Sequence, residues 1–386
     1  MKKFTSLFYI VLLFAFLSAE DISYTQSKIY WTEQISLPKI KRANIDGSNV
    51  EDIVSTGLAR PSGIEVDMTN GKIYWSDISL NKILKADLDG SNVEDVISGI
   101  SNPIEIALDI SGGKVYWSSG FTVHRADLDG NNEETIADMG NSNPNGIDLD
   151  LTNGKVYWTL TGGSQRIYRS DLDGNNREFI ISSGIDNAKG ITLDVANGKM
   201  YWVESGNDPV IRRANLDGNN VETLVSNNPT PVLQTPYGIA LDLTEGKIYW
   251  ADFGMEKIMS ANLDGSDVQE VISSGLHEPS YVSLYLIPTA IDDEITSVPN
   301  KYVLHQNYPN PFNPSTTIKF SIPTEEFTTL TIYDILGNQI SELVSDVLPA
   351  GNHKYFFNAE SLTSGVYFYK IKAGEFFDTK KMMVLK

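Results

Sequence analysis

The dipeptide Tyr-Trp occurs six times in this chain and accounts for all six of its tryptophans. These are Trp31, Trp75, Trp117, Trp158, Trp202 and Trp250. Successive positions differ by 44, 42, 41, 44 and 48 residues. A self-similar period of roughly 40 to 45 residues is typical of propellers and solenoid arrays. We therefore expect a repeat protein over most of the chain.

Each repeat contains four short stretches with strand-like composition, for example 62–67, 72–76, 82–88 and 93–97. A turn of the Thr-Asn-Gly type joins the first two stretches, and Asp-Gly, a strong hairpin signal, joins the last two. The Asp-Gly glycines are Gly47, Gly90, Gly130, Gly174, Gly218 and Gly265. Four antiparallel strands repeated six times predict an all-β fold with a six-bladed β-propeller. We expect the Tyr and Trp side chains to pack between blades.

The order of the stretches predicts how the ring closes. The chain enters at a second strand, 28–32, and the repeats end with an unmatched inner strand, 279–286. We expect this inner strand to complete the first blade, so that deletion of 279–288 destabilises the whole ring.

The repeat resembles a known family. The segment KIYWSD, the GIxxD-type strand and the turn ADLDGSN resemble the LDL-receptor class B, or YWTD, repeat over about residues 24–288. The resemblance implies a six-bladed propeller at 20–288 that recognises proteins. One acidic position of the repeat is kept at Glu33, Asp77, Glu204 and Asp252 and replaced by Ser119 and Leu160.

The two ends of the chain indicate export. Residues 1–19 combine two lysines, an apolar stretch and a small-residue cleavage site, which predicts a secretory signal peptide. Residues 289–299 are polar and acidic enough for a linker. Residues 300–386 have short strand-like stretches punctuated by glycines, which predict a small Ig-like β-sandwich.

The C-terminal segment resembles the type A sorting domain of the type IX secretion system. The residues that carry this resemblance include Asn310, Pro311, Phe312, Asn313, Pro314, Gly365 and Tyr367. The resemblance implies contact with the secretion machinery and a secreted or outer-surface location. The alternative is an ordinary sandwich module without a transport role.

The charge distribution excludes some classes of partner. The formal net charge is −20; the first 19 residues contribute +2 and residues 300–386 contribute 0, so residues 20–299 hold −22. This acidic body disfavours nucleic acid and anionic membrane surfaces. The chain has no cysteine, and no apolar segment reaches the roughly 20 residues of a membrane-spanning helix.

Signals for catalysis are weak. The four histidines, His124, His277, His305 and His353, lack metal-ligand spacing, and no GxSxG motif is present. We expect no catalytic residue, cofactor or metal. A recurring carboxylate follows each inner strand and favours a capped turn over a cation site. These carboxylates are Asp67, Asp109, Asp150, Asp194 and Asp242.

Loop variability indicates the binding face. The Thr-Asn-Gly and Asp-Gly turns are nearly uniform, whereas the fourth-to-first and second-to-third connections differ between blades. Function usually lies on such variable loops. The expected ligand residues enter the inner strands at the mouth of the channel. They are Tyr237 and Lys189 first, then Asn145, Ser62, Ile104 and Ser280.

Three functions remain open from the sequence. The first is a secreted or surface binding protein that recognises a protein or glycan without catalysis. The second is a metal-dependent, lactonase-like hydrolase with Glu65, Glu105 and Asp148 at one inner-strand position of neighbouring blades. The third is a structural surface-layer or adhesion component without a discrete ligand.

Overall fold

The computed structural model describes residues 27–163, 165–227, 232–286, 299, 301–307, 310, 312, 315–359 and 362–385. The expected signal peptide and nearly all of the expected linker lie outside these residues. Contacts divide the chain into two units, 1–289 and 290–386. Within the described ranges, no helix is long and apolar enough to cross a membrane.

The first unit contains six antiparallel four-stranded sheets, the blades of a β-propeller. Blades 1 and 2 comprise β24 (Pro279–Tyr285), β1 (Lys28–Glu33), β2 (Lys39–Asn44), β3 (Glu51–Val54), and β4 (Pro61–Asp67), β5 (Lys72–Asp77), β6 (Lys82–Asp87), β7 (Glu94–Ser98). Blades 3 and 4 comprise β8 (Pro103–Asp109), β9 (Lys114–Ser119), β10 (Thr122–Asp127), β11 (Glu134–Asp138), and β12 (Asn143–Asp150), β13 (Lys155–Thr161), β14 (Ile167–Asp171), β15 (Glu178–Ile181). Blades 5 and 6 comprise β16 (Ala188–Asp194), β17 (Lys199–Glu204), β18 (Val210–Asn215), β19 (Glu222–Ser226), and β20 (Pro236–Asp242), β21 (Lys247–Asp252), β22 (Lys257–Asn262), β23 (Gln269–Ile272).

The ring is closed by a strand from the far end of the unit. Strand β24 pairs antiparallel with β1, with Trp31 opposite Val282, and supplies the inner strand of blade 1. Residues distant in sequence thus share one sheet. Because β24 takes part in the ladder, β1 is an interior strand of blade 1 and not a free edge.

The Tyr-Trp dipeptide joins each blade to both of its neighbours. Successive side chains of a strand point to opposite faces of the sheet. In blade 1, Trp31 packs with Ala251 and Ile258 of blade 6, whereas Tyr30 packs with Trp75 of blade 2. All six tryptophans are fully buried. The propeller core is therefore a set of six interfaces between blades.

The Asp-Gly turns also make contact between blades, by a geometry that differs from the tight hairpin expected. In the turn Asp87–Gly90, the Gly90 N–H donates to the Asp87 carbonyl at 2.8 Å, so the glycine is its last residue. Gly90 has φ +83°, and a Cβ there would overlap the carbonyl of Ile53 in blade 1. The five equivalent glycines meet the preceding blade in the same way. Glycine at these turns thus allows each blade to pack closely against the preceding one.

Arginines form hydrogen bonds between neighbouring blades that the sequence patterns did not predict. In blade 1 the Arg42 guanidinium donates to the Leu88 carbonyl in the turn of blade 2, at 2.9 Å. Arg125, Arg169 and Arg213 make the same bond to the turn of the following blade. Each of these arginines also pairs with a glutamate on its own blade.

The second unit has two antiparallel sheets with a shared core. Its strands are β25 (Val303–Leu304), β26 (Ser315–Ile322), β27 (Glu326–Tyr333), β28 (Gln339–Leu348), β29 (Gly351–Asn358), β30 (Gly365–Ala373) and β31 (Phe376–Val384). The sheet orders are β25-β26-β29 and β28-β27-β30-β31. Ile318 and Phe320 of one sheet belong to the same buried cluster as Ile332 and Tyr369 of the other. The assignment of this pair of sheets as Ig-like stays a prediction.

We expect Gly90→Ala to destabilise the propeller more than Gly57→Ala. Both glycines have positive φ, so both substitutions introduce backbone strain, but a Cβ on Gly57 meets nothing within 4 Å. Overlap with Ile53 should cost a further 1–3 kcal/mol or so. Denaturant unfolding followed by tryptophan fluorescence measures the difference in the full chain, because every tryptophan lies in the propeller. Equal losses would contradict the proposed blade contact.

Candidate functional site

The uniform face of the propeller is built from self-contained turns. The Asp67 carboxylate accepts the N–H groups of Thr69 and Asn70 at 2.9 and 3.0 Å. Asp109, Asp150, Asp194 and Asp242 accept equivalent bonds from their own turns. This ring of carboxylates is therefore engaged in turn capping, as the sequence favoured.

The channel is crossed by a tyrosine near the mouth. Tyr281 on β24 is buried, and its hydroxyl donates to Asn145 Oδ1 on β12 at 2.8 Å. Blades 1 and 4 face each other across a six-bladed ring, so this side chain spans the channel. A Cβ on Gly238, at the equivalent position of blade 6, would lie 2.5 Å from the Tyr281 Cα. The glycine therefore allows the backbones of β20 and β24 to approach closely.

Three of the expected ligand residues are buried in structural contacts. Ser62 and Ser280 are fully buried, and the Gln34 amide donates to both hydroxyls at 3.2 and 2.7 Å. Asn145 is buried beneath the Tyr281 hydroxyl. The Gln34 side chain covers Ser62 and Ser280, and their role as ligand residues stays a prediction.

The other three expected residues keep partial exposure. Ile104, Lys189 and Tyr237 are half-buried. The Lys189 ammonium lies 5.1 Å from the centre of the Tyr237 ring, a cation–π distance. Burial lowers the pKa of Lys189 to about 8. The Thr159 hydroxyl of the preceding blade holds the Lys189 carbonyl at 2.6 Å, which fixes the backbone of this residue.

The acidic position of the repeat anchors the variable loops. The Asp77 carboxylate accepts the N–H groups of Ala59 and Arg60, in the loop that precedes β4, at 2.8 and 3.0 Å. Asp252 accepts those of Gln234 and Thr235 in the same way. Glu33 and Glu204 bind a loop N–H and also accept a tryptophan Nε1–H.

Blades 3 and 4 lack this anchor, and a depression lies there. At the acidic position blade 3 has Ser119 and blade 4 has Leu160; the Ser119 hydroxyl donates to the Ser101 carbonyl, and the neighbouring Thr161 hydroxyl donates to the Asn143 carbonyl. The depression has a volume of about 750 Å³. Its lining includes Asn102, Ser119, Phe121, Glu133, Asn143 and Thr161. Three of the six expected ligand residues, Ile104, Asn145 and Lys189, also line it.

The three carboxylates of the lactonase hypothesis do not share one position. Strand register aligns Glu65 with Asp148, since each lies opposite the Tyr of its own Tyr-Trp pair, but blade 3 has Ala107 there. Glu105 falls in the bulge between Pro103 and Ile106, where other blades have glycine or Tyr281. Glu105 therefore lies two residues before the position that Glu65 and Asp148 share. The expectation that all three carboxylates occupy one inner-strand position is wrong.

These carboxylates already accept hydrogen bonds. Glu65 accepts the Ser283 hydroxyl at 2.7 Å, and Glu105 accepts the Ile147 N–H at 2.9 Å. Asp148 accepts the N–H groups of Leu149 and Leu193. Burial raises the pKa of Glu65 to about 7 and of Asp148 to about 6, and it raises the pKa of Glu105 well above its usual range. Across the described ranges, no group of three His, Cys, Asp or Glu side chains could hold a metal ion.

The sorting motif forms hydrogen bonds with the last strand of the second unit, β31, and the residue that follows it. The Met383 N–H donates to Asn310 Oδ1 at 2.8 Å, and Phe312 exchanges two backbone hydrogen bonds with Met383 and Leu385. The Tyr367 hydroxyl donates to the Thr363 carbonyl at 3.0 Å, and Gly365 begins β30. Pro311, Asn313 and Pro314 lie outside the described residues.

We expect Glu65→Gln to stabilise the propeller at pH 8 but not at pH 4.5. A raised pKa in the folded state means that folding binds a proton, so the wild type loses stability as pH rises from about 4.5 to about 7. Glutamine still accepts the Ser283 hydroxyl without a charge. The variant should therefore gain about 2–3 kcal/mol at pH 8. Denaturant unfolding at both pH values measures this; an equal effect at the two would contradict it.

Comparisons with known proteins agree with this architecture. Residues 71–110, 198–243 and 246–280 match "Low-density lipoprotein receptor repeat class B", and residues 306–385 match "Secretion system C-terminal sorting domain". Low-density lipoprotein receptor-related protein 4 of Homo sapiens is 42% identical over 55 residues, which are 14% of this chain and 3% of that protein. The alignment thus spans a small fraction of the relative's length.

Solved structures share the fold. "Crystal structure of Nidogen/Laminin Complex" matches with a TM-score of 0.60 and 21% identity, over 67% of this chain and 98% of that chain. "Crystal structure of TolB from Acinetobacter baumannii" matches with a TM-score of 0.55 and 14% identity, over 68% and 67%. The solved structures thus show the propeller fold, while the family matches place LDL-receptor class B (YWTD) repeats within this propeller and a secretion-system sorting domain at residues 306–385.

Proposed function

We propose that this secreted protein is a non-enzymatic recognition module whose propeller binds a protein partner through the variable-loop face. The sorting domain directs it through type IX secretion to the cell surface or the extracellular space. The observation that carries the proposal is the depression at blades 3 and 4, on the face where the loops differ from blade to blade.

Two further observations support a binding role over catalysis. Tyr281 crosses the channel below the mouth, and we expect a ligand to bind at the mouth and its loops. The carboxylates of Glu65, Glu105 and Asp148 each accept hydrogen bonds from neighbouring groups. The related nidogen propeller was solved in a complex with laminin, which is consistent with a protein partner here.

The test is a selection of random dodecapeptides on the immobilised full chain, followed by binding measurements on two matched variants. Asn143→Trp fills the depression, and Thr152→Trp places the same bulk on the uniform face; both positions are exposed. We expect selected peptides to bind Asn143→Trp about tenfold or more weakly and Thr152→Trp with unchanged affinity.

Tryptophan fluorescence unfolding of both variants is the control for folding. Recovery of no binding peptide, or peptides that bind Asn143→Trp as well as the wild type, would contradict recognition at this depression.

A further inference from the structure

Lys189 is an exception among the basic residues of an acidic propeller. In the described part of residues 27–286, every other lysine and arginine except Arg60 forms a hydrogen bond, an ion pair or both. The Lys189 ammonium has only the face of the Tyr237 ring. Partial removal of the ammonium from water without a counter-ion is unfavourable, and an anion beside it would offset that cost.

The surroundings of Lys189 fit an anionic group better than a second cation. The ammonium is removed from water enough to lower its pKa to about 8. A carboxylate placed beside it would form a charge-assisted hydrogen bond in a partly dry site, where such bonds are strongest. Binding of such a ligand would therefore give Lys189 the counter-ion that it lacks in the free protein.

The walls of the depression fit a peptide backbone. Asn102 and Asn143 are exposed, and their side-chain amides each offer both a donor and an acceptor. Asn145 uses its Oδ1 for Tyr281, which leaves its amide donor. Phe121 is 50% exposed at the rim and offers an apolar contact.

The same walls are less suited to a sugar. Glycans commonly stack on open aromatic faces, but the Trp117 ring is covered by His124 at 5.2 Å between ring centres. The Tyr237 face is covered by Lys189. Phe121 is the remaining exposed ring among the residues that line the depression.

We infer that the depression at blades 3 and 4 binds an acidic peptide segment, with an Asp or Glu side chain of the ligand paired to Lys189. This inference rests on the proposed function and adds the chemical class of the ligand. The loss of the acidic anchor at Ser119 and Leu160 is what frees this space, since the equivalent carboxylates Asp77 and Asp252 bind the loops of their own blades.

The experiment compares the dodecapeptides selected on the wild-type full chain with those selected on Lys189→Met. Methionine keeps an unbranched apolar stem of nearly the same length as lysine, without its charge. We expect wild-type selections to share an Asp or Glu at one fixed place. These peptides should bind Lys189→Met about tenfold to a hundredfold more weakly.

Two controls make the result specific. Replacing the shared Asp or Glu of the peptide by Asn or Gln should cost as much as Lys189→Met, and combining both changes should cost little more. Lys199→Met, on the uniform face of the same blade, should leave binding unchanged; its ammonium binds Asn215 instead.

Different outcomes separate the two proposals. Selected peptides without a shared Asp or Glu would overturn the carboxylate subsite and leave the recognition face in place. So would peptides that bind Lys189→Met as well as the wild type but bind Asn143→Trp weakly. If Arg60→Met weakened peptide binding and Lys189→Met did not, the ligand carboxylate would bind elsewhere and the inference would be overturned. Tight, Lys189-dependent binding of uronic-acid oligosaccharides without any peptide binding would overturn it as well. Failure to select any peptide would contradict both proposals.

Discussion

The structure depends on one strand that makes two interfaces at once. Because neighbouring side chains of a β-strand point in opposite directions, Trp31 packs on blade 6 while Tyr30 packs on blade 2. The same dipeptide repeats this arrangement in every blade, and each blade is stabilised by both of its neighbours. Closure by β24 gives blade 1 a packed neighbour on each side, as every other blade has. The framework is thereby fixed, and the loops of one face are free to differ.

The functional information lies in departures from the repeat. Residues that follow the pattern, such as Gly90 and Asp67, shape turns and blade contacts. Residues that break it have other effects: Tyr281 replaces a glycine and crosses the channel, and Ser119 replaces an acid where the depression lies. Lys189 stands beside that depression without an anion.

Sequence reasoning reached the architecture because its signals are periodic. The six Tyr-Trp pairs predict the blades, and the ADLDGSN turns and tail motifs point to the matched families. It failed where contacts link residues distant in sequence. Gln34, which directly follows β1, covers Ser62 and Ser280, and the bulge in the inner strand misaligned Glu105.

Native-state hydrogen exchange of the full chain tests the closed ring most directly. If the Tyr-Trp interfaces and β24 make the ring a single cooperative unit, amides in β1 and β24 should open with the same free energy as those in β9 and β13. Exchange of β1 and β24 at a much lower free energy than the other blades would show that blade 1 opens on its own, and would contradict the account.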